Sequence, residues 1–386
     1  MDNWKTLTVG DVCQTISETY RGNDDRVVLI NTSDVLEGKV LNHQSVENRD
    51  LRGQFKKTFR KNDILYSEIR PANKRYAFID FENTGNYIAS TKLMVLRPDT
   101  SIVHPKYLYA FLTSSDMLAE MQHLAESRSG TFPQITFSTE LAPSPIEIPG
   151  FETQEKIVGI IDTIDRKIDA NKEINENLRQ QAGAVFDIFY EETPNQQPFT
   201  SLINVLGGGT PKTGNPDFWD GPIPFFTPKD VGAPYTFQTE KYITESGLDH
   251  CNSRLYQKDT TFVTARGTVG KVSLAGTPMA MNQSCYALAS ETVDPLLVYF
   301  YTLKAVASLK HKASGAVFDA IVTRDFDSET INILSDDDSK LVLSIIKPIM
   351  DAIHNNSEEN MRLAALRDSL LPKLMSGELD VSDLDL

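Results

Sequence analysis

The sequence predicts an α+β protein: two strand-rich α+β domains joined by two long antiparallel helices of coiled-coil type, related as an internal pseudo-two-fold repeat. Three observations predict it. The 386 residues contain matched blocks at a fixed offset, the large segments consist of short apolar runs broken by turn residues, and a long stretch of helical periodicity follows each large segment. The resulting division is a first domain over 1–150, a helix over 151–192, a second domain over 198–337, a second helix over 338–376 and an acidic tail over 377–386.

The repeat is the organising feature. Asn31-Thr32-Ser33-Asp34-Val35 matches Thr227-Pro228-Lys229-Asp230-Val231, and Asn62 to Arg70 matches Lys258 to Arg266, both at an offset of 196. Further along, loop lengths differ: Ser129-Gly130-Thr131 pairs with Ser314-Gly315-Ala316 at 185, and Asn177-Leu178-Arg179 with Asn360-Met361-Arg362 at 183. On this alignment Arg70 and Arg266 occupy one repeat position.

Within the domains, the runs Asp63-Ile64-Leu65-Tyr66, Leu93-Met94-Val95-Leu96 and Thr261-Phe262-Val263 read as strands between Gly, Pro, Asn and Asp clusters. Pro105 and Pro295 open short helices, because proline is preset for the first helical position and its missing N–H is not needed there.

The helical stretches carry Ile157, Ile161, Ile164 and Ile168, then Leu178, Ala182, Val185 and Phe189 after a polar gap at Asn171. Their counterpart has Ile346, Ile349 and Ile353, a gap at Asn356, then Leu363, Leu366, Leu370 and Leu374. Two matched stripes of about 35 residues with polar breaks at equivalent places suit a mutual antiparallel pair whose asparagines set the register. Pro348 falls inside the second stripe, which predicts a kink there or a helix that begins there. Residues 191–198, polar with two prolines, read as a linker, and the tail after Gly377 as frayed.

Composition sets the class. With 40% hydrophobic and 24% charged residues the chain is an ordinary globular protein, with no bilayer-length apolar run and no signal-peptide pattern at Met1-Asp2-Asn3-Trp4-Lys5, so a cytoplasmic location is expected. Cys13, Cys251 and Cys285 are far apart and show no metal-ligand spacing. The net charge of −15 is uneven: the two large segments carry −2 each, while 151–197 and 336–386 carry −5 and −6. Residues 49–75 hold nine basic groups and three acids, a local +6 of the kind that phosphate binding requires.

Catalytic signatures are missing from the sequence. It has no Asn-Pro-Pro-Tyr or Asp-Pro-Pro-Tyr motif, no G-x-G loop after a strand and no G-x-x-x-x-G-K-[ST] cradle. Gly207-Gly208-Gly209-Thr210 is followed by Pro211 and reads as a turn rather than a phosphate loop. The carboxylates Asp63 and Glu68, or Asp217 and Asp220, read as solvated or turn-capping rather than as a nuclease pair.

The run from Gly207 through Thr210-Pro211-Lys212-Thr213-Gly214 and Phe218-Trp219 to Asp230-Val231 resembles the opening of a target-recognition domain in type I restriction-modification specificity subunits. The segment Leu366-Arg367-Asp368-Ser369-Leu370-Leu371-Pro372-Lys373-Leu374-Met375-Ser376-Gly377-Glu378-Leu379 resembles the closing segment of that family. The first repeat lacks the Gly-Gly-Thr-Pro opening and resembles a different subtype.

The resemblance covers essentially the whole chain and implies a non-catalytic subunit whose two target-recognition domains read an asymmetric, bipartite DNA site. It further implies that the paired helices act as a spacer and as the docking surface for two methyltransferase subunits, with restriction-translocase subunits reached through them. S-adenosylmethionine, ATP and Mg²⁺ are then expected in the partners. A 35-residue helix is about 52 Å long, more than one DNA turn.

The candidate DNA-contacting residues in the first domain are Lys56, Lys57, Arg60, Lys61, Ser67, Arg70, Lys74, Arg75, Ser129, Gly130 and Thr131. In the second domain they are Lys212, Thr213, Lys229, Arg254, Arg266, Lys271, Lys310, Lys312, Ser314 and Gly315. Cations set position on phosphates, and a few loop side chains report base identity. Two other readings stay open at this point: a single-chain divergent restriction nuclease, and a helical scaffold with two modules that bind something other than DNA.

Overall fold

The computed structural model describes every residue except 1–3, 50, 52, 128–132, 233, 313–319, 382–383 and 385–386. The chain forms two compact units, Met1–Lys167 with Leu363–Leu386, and Ile168–Arg362, so that the division falls inside both long helices.

In the first unit the strand Lys5–Thr8 pairs with Pro145–Ile148, the strand that leads directly into the first long helix, Phe151–Glu192. One antiparallel sheet has the order Cys13–Ile16, Leu93–Pro98, Ile64–Ser67, Tyr76–Phe78. A second sheet orders Ser45–Glu47, Arg26–Ile30, Tyr87–Ser90 and Phe55–Lys57, with its central pair parallel. Helices Pro105–Leu112 and Ser115–Ser127 cover the first sheet, and Tyr107, Leu108 and Met121 are fully buried.

The second unit repeats this plan. Gln196–Pro198 pairs with Thr330–Asn332, just ahead of the second long helix, Asp336–Met375. The main sheet orders Asn204–Gly207, Cys285–Ala289, Thr261–Thr264, Val272–Ala275 and Tyr235–Thr236, and the helix Pro295–Lys312 covers it. Trp219–Phe226 runs parallel to Ala280–Met281, as Arg26–Ile30 runs parallel to Tyr87–Ser90. Both short helices begin at their proline.

The Asn31 and Thr227 blocks play the same structural part. Asn31 N–H donates to Asp34 Oδ2 at 2.7 Å, and Thr227 N–H donates to Asp230 Oδ2 at 2.8 Å, so each aspartate caps the turn after its strand. The hairpin blocks, in contrast, align at 197 rather than 196. Ile64–Ser67 and Thr261–Thr264 hold equivalent places in their ladders, and Ile69 and Arg266 make equivalent bridges, to Gln134 and Ala320. Arg70 therefore matches Gly267, and Arg266 matches Ile69. The recurrence of Asp and Arg letters in both blocks masks a slip of one residue.

The long helices run antiparallel. In the second unit Asn171 Nδ2 donates to Glu359 Oε2 at 2.7 Å and to Asn360 Oδ1 at 2.9 Å, while Asn175 donates to Ser357 Oγ at 3.1 Å and accepts from Asn356 Nδ2 at 2.9 Å. These asparagines form a satisfied polar layer, with Asn356 meeting Asn175 rather than Asn171. Phe186, Val342, Ile346, Met350 and Ile353 continue the core beside it. In the first unit Arg367 Nη1 reaches Asp165 Oδ1 at 2.8 Å, and Ile157, Ile161, Leu371 and Leu374 are buried. Each such apolar side chain contributes about 2 kcal/mol by leaving water. Leu366, placed in the stripe by its spacing, is exposed.

Ser335 Oγ accepts from Asp338 N–H at the start of the second helix, and Asp336, Asp337 and Asp338 favour the positive end of its dipole. The helix is continuous through Pro348 rather than starting there. Pro348 and Ser344, whose carbonyl would have taken the missing hydrogen bond, are both exposed, which leaves that carbonyl to water. The expectation of a frayed tail needs correction. Gly377 turns the chain at φ 74, Leu379 N–H donates to Lys373 O at 3.0 Å, and Val381 is buried in the first unit's core. Among the described residues, no helix is long and apolar enough to cross a membrane.

Candidate nucleic-acid interface

The candidate cations separate once their neighbours are known. In the first unit Lys56, Arg60 and Arg70 are exposed, and their side chains make no ion pair among the described residues. In the second unit the same holds for Lys212, Arg254, Arg266 and Lys271. Thr213 is exposed beside Lys212.

Lys61, Lys74 and Lys229 are also exposed but pair with Glu82 at 2.6 Å, Glu37 at 3.3 Å and Glu240 at 3.2 Å. Exposed pairs of this kind hold by less than about 1 kcal/mol, so they yield readily to a phosphate.

Several other candidates are engaged within the fold. Lys57 Nζ donates to Leu93 O at 2.8 Å and Thr91 O at 3.1 Å, and burial pulls its ammonium below the usual lysine range. Arg75 Nη1 donates to Ser33 O and Val35 O, and Lys310 Nζ to Gly270 O at 2.6 Å. Lys312 neutralises Glu329, which is only 2% exposed, at 2.6 Å. Ser67 is also internal: it ends a strand buried on both faces, and its hydroxyl is used by Ile69. Ser129, Gly130, Thr131, Ser314 and Gly315 lie outside the described residues.

Asp63 is neither solvated nor poised for catalysis. It is 1% exposed and grips Arg97 through two bonds, Nε to Oδ1 at 2.8 Å and Nη2 to Oδ2 at 2.7 Å, while also accepting from Arg60 N–H at 2.8 Å. The pair is bidentate and satisfied, which is the geometry a buried ion pair needs.

At the tip of the first unit's hairpin, Arg70 and Lys74 adopt left-handed backbone, φ 46 and φ 53, on either side of the turn Pro71–Asn73. Their counterparts in the second unit are Gly267 and Gly270, at φ 79 and φ 71. A left-handed residue with a side chain costs about 1 kcal/mol, a cost glycine avoids. Distant residues hold the tip: Gln122 Oε1 accepts from Ala72 N–H at 3.1 Å, and Glu37 N–H donates to Lys74 O at 2.9 Å. Sequence reasoning passed over both Gln122 and Glu37, since neither stands near the basic block in the chain.

In the second unit the glycine-rich opening is a close-packing device. A Cβ on Gly208 would sit 2.3 Å from Asn282 O, and one on Gly209 would sit 2.6 Å from Asn252 N. Trp219 Nε1 donates to Lys212 O at 3.2 Å, and Lys241 Nζ lies 5.5 Å from the Trp219 ring centre. The indole thereby holds the loop that presents Lys212 and Thr213, a role the sequence motif did not disclose.

The family model for the type I restriction modification DNA specificity domain matches residues 1–180 and 198–363. The chain is 30% identical to the type I restriction enzyme HindI specificity subunit of Haemophilus influenzae, over 98% of this chain and all of that one. It is 28% identical to the type I restriction enzyme MjaIX specificity subunit of Methanocaldococcus jannaschii, over 40% of this chain and 38% of that one. Among solved structures, the type I restriction-modification S subunit from M. genitalium superposes with a TM-score of 0.53 at 14% identity, covering 99% of this chain and 97% of that one. That likeness extends to the fold.

Proposed function

As a member of the type I restriction-modification DNA specificity family, this chain is the DNA-recognition subunit of such a system, and we propose that its two strand-rich domains each read one half of an asymmetric split site. The chain binds and positions the duplex. Two methyltransferase subunits docked on the long helices supply adenine-N6 methylation with S-adenosylmethionine, and restriction-translocase subunits reached through them use ATP and Mg²⁺. Extrusion of the target base belongs to the methyltransferase subunits, because the atom to be modified is inaccessible inside a duplex.

One observation carries the reading. The same hairpin recurs in both units and in each presents cations that have no carboxylate partner among the described residues: Arg70 in one, Arg266 and Lys271 in the other. Such cations neutralise phosphates or report bases, while the −5 and −6 of the helical segments repel a duplex and suit a protein partner. The first helix, at 42 residues and about 63 Å, is longer than one DNA turn, which supports its use as a spacer.

Binding tests this directly. The complex of this chain with its methyltransferase subunits is expected to hold duplex DNA with an affinity that falls steeply with salt, and the isolated chain to leave DNA uncut at every Mg²⁺ concentration. Salt-independent binding would support the non-DNA scaffold, and Mg²⁺-dependent cleavage by the chain alone would support the nuclease.

A further inference from the structure

We propose that Arg70 is the base-reading residue of the first domain, and that it takes a guanine through paired hydrogen bonds from its guanidinium to O6 and N7 in the major groove. The inference rests on the DNA-recognition reading above and adds to it a residue and a base.

Arg70 sits at φ 46, where the aligned residue of the second unit, on a tip one residue shorter, is Gly267 at φ 79, so a left-handed residue at this position is available to glycine without strain. The fold gains nothing from the arginine side chain there: it is exposed and makes no ion pair or hydrogen bond among the described residues. Strain that persists without a structural return is found where surroundings over-determine a conformation for use.

Those surroundings are present. Arg70 N–H donates to Pro133 O at 3.1 Å, Asn73 N–H to Arg70 O at 2.8 Å, Ala72 N–H to Gln122 Oε1 at 3.1 Å, and Ile135 N–H to Glu68 O at 2.8 Å. Pro71, next in the chain, is buried. The Cα from which the guanidinium projects is thus fixed by four hydrogen bonds, one within the turn and three to two other segments, the preorganisation a base contact needs and a phosphate contact does not.

Chemistry then separates the two cations of the tip. Lys74 is a point charge resting against exposed Glu37, which suits a phosphate. Arg70 carries a planar fork with no partner among the described residues, which matches the two acceptors of guanine and the pattern of no other base. In the second domain the cation stands one residue earlier, at Arg266, so the two hairpins present their arginines differently to their respective half-sites.

The test is to co-express Arg70→Lys, Arg70→Gly and the unchanged chain with the cognate methyltransferase subunits and to map methylated adenines by single-molecule sequencing. Arg70→Lys is expected to lose selection for one guanine-cytosine pair in one half of the motif, a loss of about 5- to 150-fold in discrimination, with the other positions and the salt slope retained. Arg70→Gly is expected to lose the same base pair with a thermal midpoint no lower than that of the unchanged chain, which separates readout from folding. An unchanged motif with Arg70→Lys overturns the proposal, and so does uniformly weaker methylation without a change of motif, the mark of a phosphate contact. If the unchanged chain yields no motif, the DNA-recognition reading fails first.

Discussion

The hairpins of the two units share one ladder and differ at both ends. At the base, the first has Asp63 locked to Arg97, and the second has Thr260 and Ala289 at the equivalent places. At the tip, the first carries Arg70 and Lys74 in left-handed conformation, and the second carries Gly267 and Gly270. The second hairpin, one residue shorter at its tip, closes with small residues at every one of these points. What the first unit adds is charge, buried and satisfied at the base, exposed and without a side-chain partner among the described residues at Arg70. One hairpin thus carries its arginine at the left-handed position itself, Arg70, and the other leaves that position to Gly267 and carries its arginine one residue earlier, at Arg266.

The comparison can be broken at its base with the largest effect. Asp63→Ala strands the Arg97 guanidinium in a site where it is only 14% exposed, and is expected to destabilise the first unit by about 3–5 kcal/mol in urea unfolding. The same change at Thr260 should cost far less, since no charge depends on it. A loss below about 1 kcal/mol for Asp63→Ala would show that the pair is not a buried one.

At the tips, Gly270→Ala is expected to cost about 2 kcal/mol. A Cβ there meets Lys310 Cε at 2.5 Å, forces Lys310 off the Gly270 carbonyl and strains a backbone at φ 71. Gly267→Ala, with its nearest atom at 3.7 Å, adds backbone strain alone and is expected to cost about 1 kcal/mol. If thermal melts give the two variants equal losses, the Lys310 contact has no weight.

An effect of similar size is expected in the polar layer between the helices. Asn175→Ala leaves Asn356 and Ser357 without their partner and is expected to destabilise the second unit by about 1–3 kcal/mol, less if water enters. The smallest change is at the first tip: Arg70→Gly is expected to leave the melting temperature unchanged or slightly raised, because it exchanges strain for chain entropy.

Much of this was legible in the sequence for identifiable reasons. Asn31 to Val35 and Thr227 to Val231 stood out because a turn capped by its own fourth residue admits few residue types, and Pro105 and Pro295 because helix starts favour proline. The slip of one residue in the hairpins was not legible, since it depends on Asn62 and Asp259 both turning the chain at φ 70 and φ 66, a fact about conformation. Ser67 misled because Ile64–Ser67 is buried on both faces and shows no alternation to say which side chains face out. Arg97, Gln122 and the docked Val381 meet their partners only through tertiary packing, which no local pattern reports.

The central claim is that this chain chooses the sequence that its partners methylate. The most direct measurement is a genome-wide map of methylated adenines in cells expressing the methyltransferase subunits with and without it. A single split motif with a fixed spacer is expected, and it disappears when the chain is omitted. A stable, purified complex that leaves no motif methylated, or a motif that survives the chain's removal, would contradict it.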